Sequence, residues 1–139
     1  MPADAYEYEF EVPPSAIDVN GHVNNVAFVQ WMQDAAVRHF ESVGGGAVLA
    51  AVGAVWVVRS HKVEYLRPAL PGERLRVRTW VADFRRVQSL RKYEFVRAEG
   101  GMLLVRGETD WVLVDVATGR PKSIPEEMRA LLPVRPDGG

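Results

Sequence analysis

Only one stretch of this chain carries the spacing of a long helix. Phe28, Trp31, Met32, Ala35, Ala36, His39, Phe40 and Val43 fall three and four residues apart, as one face of an α-helix requires. Val26, Val29 and Val37 make the same segment apolar outside that stripe, which implies burial on more than one side. Gly44, Gly45 and Gly46 supply its stop, because glycine takes the left-handed cap conformation without steric cost. A chain with one such helix and many strands has to wrap the strands about it, so the expected class is α+β.

The strands are read from alternation. Tyr6, Tyr8, Phe10 and Val12 alternate with Glu7, Glu9 and Glu11 until Pro13 and Pro14 end the run. Val55, Val57, Val58, Val63 and Tyr65 make residues 54–66 a long strand, closed by Pro68 and by Pro71-Gly72. Leu75, Val77, Thr79 and Val81 alternate with Arg74, Arg76, Arg78 and Trp80, a strand with a wet or partner-facing side. Residues 87–99 and 102–116 are two more strands, joined at Gly100-Gly101, a dipeptide suited to a tight primed hairpin turn. Pro125, with Glu126 and Glu127 in the first turn, opens a short final helix through Leu132, and the tail from Pro133 to Gly139 is expected to fray. This order predicts a four-strand antiparallel meander plus the amino-terminal strand: a curved antiparallel five-stranded sheet wrapped around one long central helix. No repeat or linker interrupts it, and 139 residues, 47% of them hydrophobic, suit one domain spanning residues 1–139.

Several function classes are disfavoured. A formal net charge of -1 gives no global pull toward nucleic acid or an anionic membrane. With no cysteine there are no disulfides, thiolate metal sites or cysteine nucleophile. The longest apolar run, residues 47–58, is broken by Gly53 and falls short of the roughly 20 residues a membrane-spanning helix needs. The acidic, alternating amino terminus carries no secretory pattern, so the cytoplasm is the expected compartment. Gly-x-Ser-x-Gly, His-Glu-x-x-His, P-loop and dinucleotide fingerprints are all missing, and no metal or redox cofactor is expected.

Ahead of the helix, Asp18, Asn20, His22, Asn24 and Asn25 fall within eight residues around Gly21. One reading is structural: Asp18 forms a turn and Asn24 or Asn25 caps the helix. The other is chemical. The first amides of a helix lack intrahelical partners and sit at its positive end, where they can hold a developing oxyanion beside a carboxylate.

The run Asp18-Val19-Asn20-Gly21-His22-Val23-Asn24-Asn25-Val26-Ala27-Phe28 resembles the Asp-x-Asn-x-His-Val-Asn-Asn-x-x-Tyr motif of hotdog-fold thioesterases. The similarity is to the branch with 4-hydroxybenzoyl-CoA, short-chain acyl-CoA and plant acyl-carrier thioesterases. Phe28 stands where tyrosine is usual. Tyr65-Leu66-Arg67-Pro68 before Pro71-Gly72-Glu73, and Thr118-Gly119-Arg120-Pro121 before Ile124-Pro125, are weaker echoes, so the resemblance covers nearly the whole chain.

The resemblance implies a hotdog domain that hydrolyses an acyl-CoA thioester. Asp18 would be nucleophile or general base, and the Asn25 backbone amide the oxyanion donor. Asn20, His22 and Asn24 would position the loop, with Phe28 against substrate but lacking the phenol. A thiolate leaving group, with a conjugate-acid pKa of about 8.5, needs no full Ser-His-Asp relay. Coenzyme A enters only as part of the substrate, and a homodimer or homotetramer with sites between subunits is implied. An acyl-carrier-protein thioesterase and a non-catalytic acyl-binding protein are the alternatives.

Another branch of the family carries its carboxylate on the central helix. The helical acids here are Asp34 and Glu41, and Asp34 is held as the reserve nucleophile. Arg74, Arg76, Arg78, Arg85, Arg86, Arg91, Lys92 and Arg97 form a basic region, read either as coenzyme A phosphate ligands or as a charged outer face. His39 is expected in the core, and His61 is a candidate to line a cavity.

Overall fold

The computed structural model describes residues 5–136. Five strands, β1 (Ala5–Glu11), β2 (Ala54–Tyr65), β3 (Arg74–Phe84), β4 (Gln88–Arg97) and β5 (Leu103–Asp115), form one antiparallel sheet in the order β1-β3-β4-β5-β2. Among the described residues three α-helices accompany it: α1 (Asn25–Ser42), α2 (Gly45–Val52) and α3 (Glu126–Leu131). The fold is the expected curved sheet around one long helix.

The predicted stripe is the face α1 lays on the sheet. Phe28, Met32, Ala35, Ala36 and His39 are buried, and Phe28 meets Phe95 and Trp31 edge-on at 5.2 and 5.1 Å. Burying side chains of this size contributes roughly 1.5–3 kcal/mol each. Met32 of α1 packs tightly over Gly107 of β5, where an added Cβ would lie 2.7 Å from Met32 Sδ. Gly107→Val is therefore expected to destabilise the fold by about 1–3 kcal/mol through overpacking. Gly107→Ala should cost less, because only the flexible end of Met32 has to move. Denaturant midpoints of the two variants check this.

Five expectations need revision. Val26 and Val37 are 72% and 50% exposed, so the helix is not buried on a second side within one chain. The meander has three strands, β3-β4-β5, and β2 lies beyond β5. Eight connecting residues, 66–73, can reach about 27 Å, while three strand spacings need only about 14 Å, so a short connection did not force a hairpin. Gly44 does stop α1 with φ of 83°, but a second helix starts at Gly45, too short to display a 3.6-residue period. Gly100 and Gly101 both take positive φ, yet the connection, residues 98–102, is five residues long, with Gly101 N–H donating to Arg97 O at 3.0 Å. Part of the tail expected to fray is held: Arg135 N–H donates to Val81 O at 2.8 Å, and residues 137–139 lie outside the described residues.

On the convex face the pairing register runs Glu7, Arg78, Glu94, Arg106, Glu64 across all five strands, alternating in sign. Arg78–Glu94 and Arg106–Glu64 are ion pairs of 3.2 and 3.5 Å, and Glu9 bridges Arg74 and Arg76. Arg85 pairs with Asp110, Arg97 with Glu73, and Lys92 with Glu108 at 3.9 Å. Most of the basic region is thus a charge-matched outer surface.

Candidate active site

The polar stretch folds as a tight loop around the Asp18 carboxylate. Asp18 N–H donates to His22 O at 2.8 Å, Gly21 takes φ of 77°, and Ile17 bridges Val23. Within that ring Asp18 Oδ1 accepts from Asn20 N–H at 2.9 Å and from His22 N–H at 3.4 Å. Asn20 and His22 therefore hold the carboxylate through their backbones. Val23 N–H donates to Ala69 O at 2.9 Å, tying the loop to the crossover between β2 and β3.

The loop delivers the chain into α1. Asn24 is the cap: its Oδ1 accepts from Val26 N–H at 2.9 Å, and its carbonyl accepts from Ala27 N–H at 3.0 Å. Asn25 is the first helical residue. Its N–H has no carbonyl one turn earlier to bond, and among the described residues it is the first-turn amide the cap leaves over. Tyr65 of β2 donates its hydroxyl to Asn25 O at 2.9 Å, and partial burial raises the phenol's pKa, so it stays a donor. Phe28 is 2% exposed and packed beneath this junction 6.0 Å from Tyr65, so it is core. The phenol missing at position 28 is matched by one arriving from β2.

A cavity of about 300 Å³ lies at the opposite end of α1. Its walls are apolar, built from Ala36, Val37 and Phe40 of α1, Leu49 of α2, Trp56 of β2 and Trp111 of β5. Ser89 and Arg91 of β4 also line it, and Glu41 contributes an exposed carboxylate. Asp34, by contrast, faces solvent and accepts from Gln30 Nε2 at 3.0 Å. Asn25 and Phe40 are fifteen residues apart along α1, about 22 Å at 1.5 Å per residue. The motif loop and the cavity of one chain therefore do not form a single pocket.

Residues 12–132 match the thioesterase-like superfamily. The chain belongs to this superfamily. The match leaves open the acyl group and its carrier. A 1,4-dihydroxy-2-naphthoyl-CoA thioesterase from Synechocystis shares the fold at a TM-score of 0.83, with 20% identity over 92% of this chain and 95% of that one. A 12:0-ACP thioesterase from Umbellularia californica gives a TM-score of 0.82 at 23% identity, over 94% of this chain and 53% of that one. A chloroplastic palmitoyl-acyl carrier protein thioesterase from Gossypium hirsutum is 30% identical over 105 residues, 70% of this chain. The chain spans only 25% of that relative's length and 32% of a second plant relative's, an acyl-carrier-protein hydrolase of Cuphea viscosissima.

Two histidines of this thioesterase-family chain behave differently. His39 is buried, stacked on Tyr6 at 5.3 Å, and accepts at Nδ1 from Arg91 Nη1 at 2.9 Å. His61, half-buried, lies 2.8 Å from Thr109 Oγ1 and 3.3 Å from Gln33 Nε2, a polar bridge between α1 and the sheet. Burial pushes the His61 pKa down, so its neutral form is favoured in the fold. Its contribution to stability is complete above the unfolded value of about 6.5 and is lost as pH falls through the lowered folded value. The unfolding midpoint is expected to fall between about pH 7 and pH 5, and less so in His61→Gln. Thermal melts across that range measure it.

Proposed function

We propose that the chain hydrolyses an acyl-CoA thioester to the free acid and coenzyme A. Asp18 attacks the thioester carbonyl or takes the proton of an attacking water, and the Asn25 N–H receives the oxyanion. The thiolate then leaves and is protonated; if Asp18 has attacked, water cleaves the resulting anhydride and restores the carboxylate. The observation that carries this reading is the Asn24 cap, which satisfies Val26 and Ala27 and leaves the Asn25 amide free beside a fixed carboxylate loop. No cofactor is needed, and the cytoplasm remains the proposed compartment.

The separation of loop and cavity is resolved by pairing two chains. The edge strand β2 is twelve residues long and bears exposed Val55, Val57 and Val58. Antiparallel pairing of β2 with its copy exchanges the strand's ends, so the Tyr65 end of one chain, with its motif loop, lies beside the Trp56 end and cavity of the other. We propose this homodimer as the functional unit, with a tetramer formed by two such dimers.

Thiol release from short, long and aromatic acyl-CoAs tests the reading, with the same acyl groups on acyl carrier protein as the second arm. A preference for the carrier would make the chain an acyl-carrier-protein thioesterase. Failure to cleave any of them would leave an acyl-binding protein. A second reading has one observation behind it: Glu41, unlike Asp18 and Asp34, lines the cavity. Loss of turnover in Glu41→Gln but not Asp18→Asn would favour it.

A further inference from the structure

Within the cavity lies a charge that the proposed hydrolysis does not use. Arg91 is 4% exposed and sits on the helix-facing side of β4, in line with Ser89 and Tyr93. Its partners are not carboxylates: one nitrogen, Nη1, donates to His39 Nδ1 at 2.9 Å and to Thr79 Oγ1 at 3.2 Å. Among the described residues no carboxylate pairs with it and nothing accepts from Nε or Nη2. The arginines of the outer face behave otherwise, since Arg74, Arg76, Arg78, Arg97 and Arg106 each find a glutamate.

A guanidinium stays cationic at neutral pH and presents a planar fork of donors matched to a carboxylate. Burying it without a counter-ion is costly, and the carboxylate on the cavity wall, Glu41, is exposed and forms no ion pair with it among the described residues. A ligand that fits has an apolar body for the walls and an anion at its far end. We infer that Arg91 determines specificity: the acyl groups hydrolysed end in a carboxylate, and Arg91 binds it inside the cavity. This rests on the thioesterase reading above. A methyl-ended chain would leave the fork facing hydrocarbon, and a site built to bond a polar group discriminates strongly against an analogue lacking it.

The test compares kcat/KM for carboxylate-ended acyl-CoAs (glutaryl, adipoyl, suberoyl) with methyl-ended acyl-CoAs of the same chain length. The carboxylate series is expected to be preferred by about tenfold or more at one of these lengths, the effect of one charge-assisted pair. In Arg91→Met that ratio falls to about one or below, and Arg91→Lys retains part of it. Free hexanoate, adipate or suberate should raise the melting temperature of the wild type, hexanol and octanol, which have no carboxylate, should not, and Arg91→Met should lose the response. A methyl-ended preference at every length, equal rates for hydroxyl-ended and carboxylate-ended chains, or an unchanged ratio in Arg91→Met would overturn the inference. If Arg91→Met does not fold, the Arg91→Lys ratio and the wild-type melting shifts decide. Diacids that stabilise a protein cleaving no thioester of either series would keep the Arg91 site and remove the hydrolase reading.

Discussion

Asp18→Asn is expected to lower kcat/KM for the best acyl-CoA by about 10²–10⁴-fold, the range for loss of a positioned acid-base group. The substitution is close to isosteric. An asparagine Oδ1 still accepts from Asn20 N–H and His22 N–H, so the loop around position 18 keeps both bonds. What disappears is the charge, and a neutral amide neither attacks a thioester nor takes a proton from water. Stability should change by less than about 1 kcal/mol, whereas Asp18→Ala, which also removes the acceptor, should cost about 1 kcal/mol. Kinetics beside a thermal melt separate the two losses. Single-turnover hydrolysis in oxygen-18 water then distinguishes the roles of the carboxylate: attack by Asp18 puts label into the protein, and general-base action does not. Full turnover in Asp18→Asn would remove this residue from the chemistry.

The parts of the fold legible in the sequence were those set by local periodicity. The Phe28–His39 stripe named the buried face of α1, and the alternation of Tyr6, Tyr8 and Phe10 placed β1 against the helix. Strand order was not legible, because the β2–β3 crossover is no longer than a loop and its path depends on Val23 N–H and the Ala69 carbonyl meeting across the fold. The eight residues of α2 are too few to carry a helical period.

The motif loop was readable because its geometry is local: Asp18, Asn20 and His22 bond within five residues of one another. Arg91 was misassigned to an outer basic region, although the signal to separate it was present. It alternates in phase with Ser89, Tyr93 and Phe95, which are buried, while Lys92 and Glu94 alternate out of phase and form ion pairs. The Tyr65 contact with Asn25 spans forty positions and left no local trace.

Val57→Lys is expected to convert the protein from a dimer to a monomer and to reduce hydrolysis by roughly 100-fold or more, since misplacing a reacting group by about 1 Å already costs that much. Val57 is 42% exposed on the β2 edge and does not line the cavity, so the folded chain should lose no more than about 0.5 kcal/mol. A lysine on an exposed edge strand opposes pairing with a second sheet. Light scattering and kcat/KM at the same protein concentrations check both halves; a monomer with undiminished rate would refute the shared site. Subunit mixing isolates the cause. Asp18→Asn lacks the carboxylate, and Leu49→Trp fills the cavity; each alone should be inactive. In a random mixture half the dimers pair one of each, and each such dimer joins an intact motif loop to an intact cavity across β2, restoring about a quarter of wild-type activity. A site contained within one chain would recover nothing, because every chain in the mixture carries a defect.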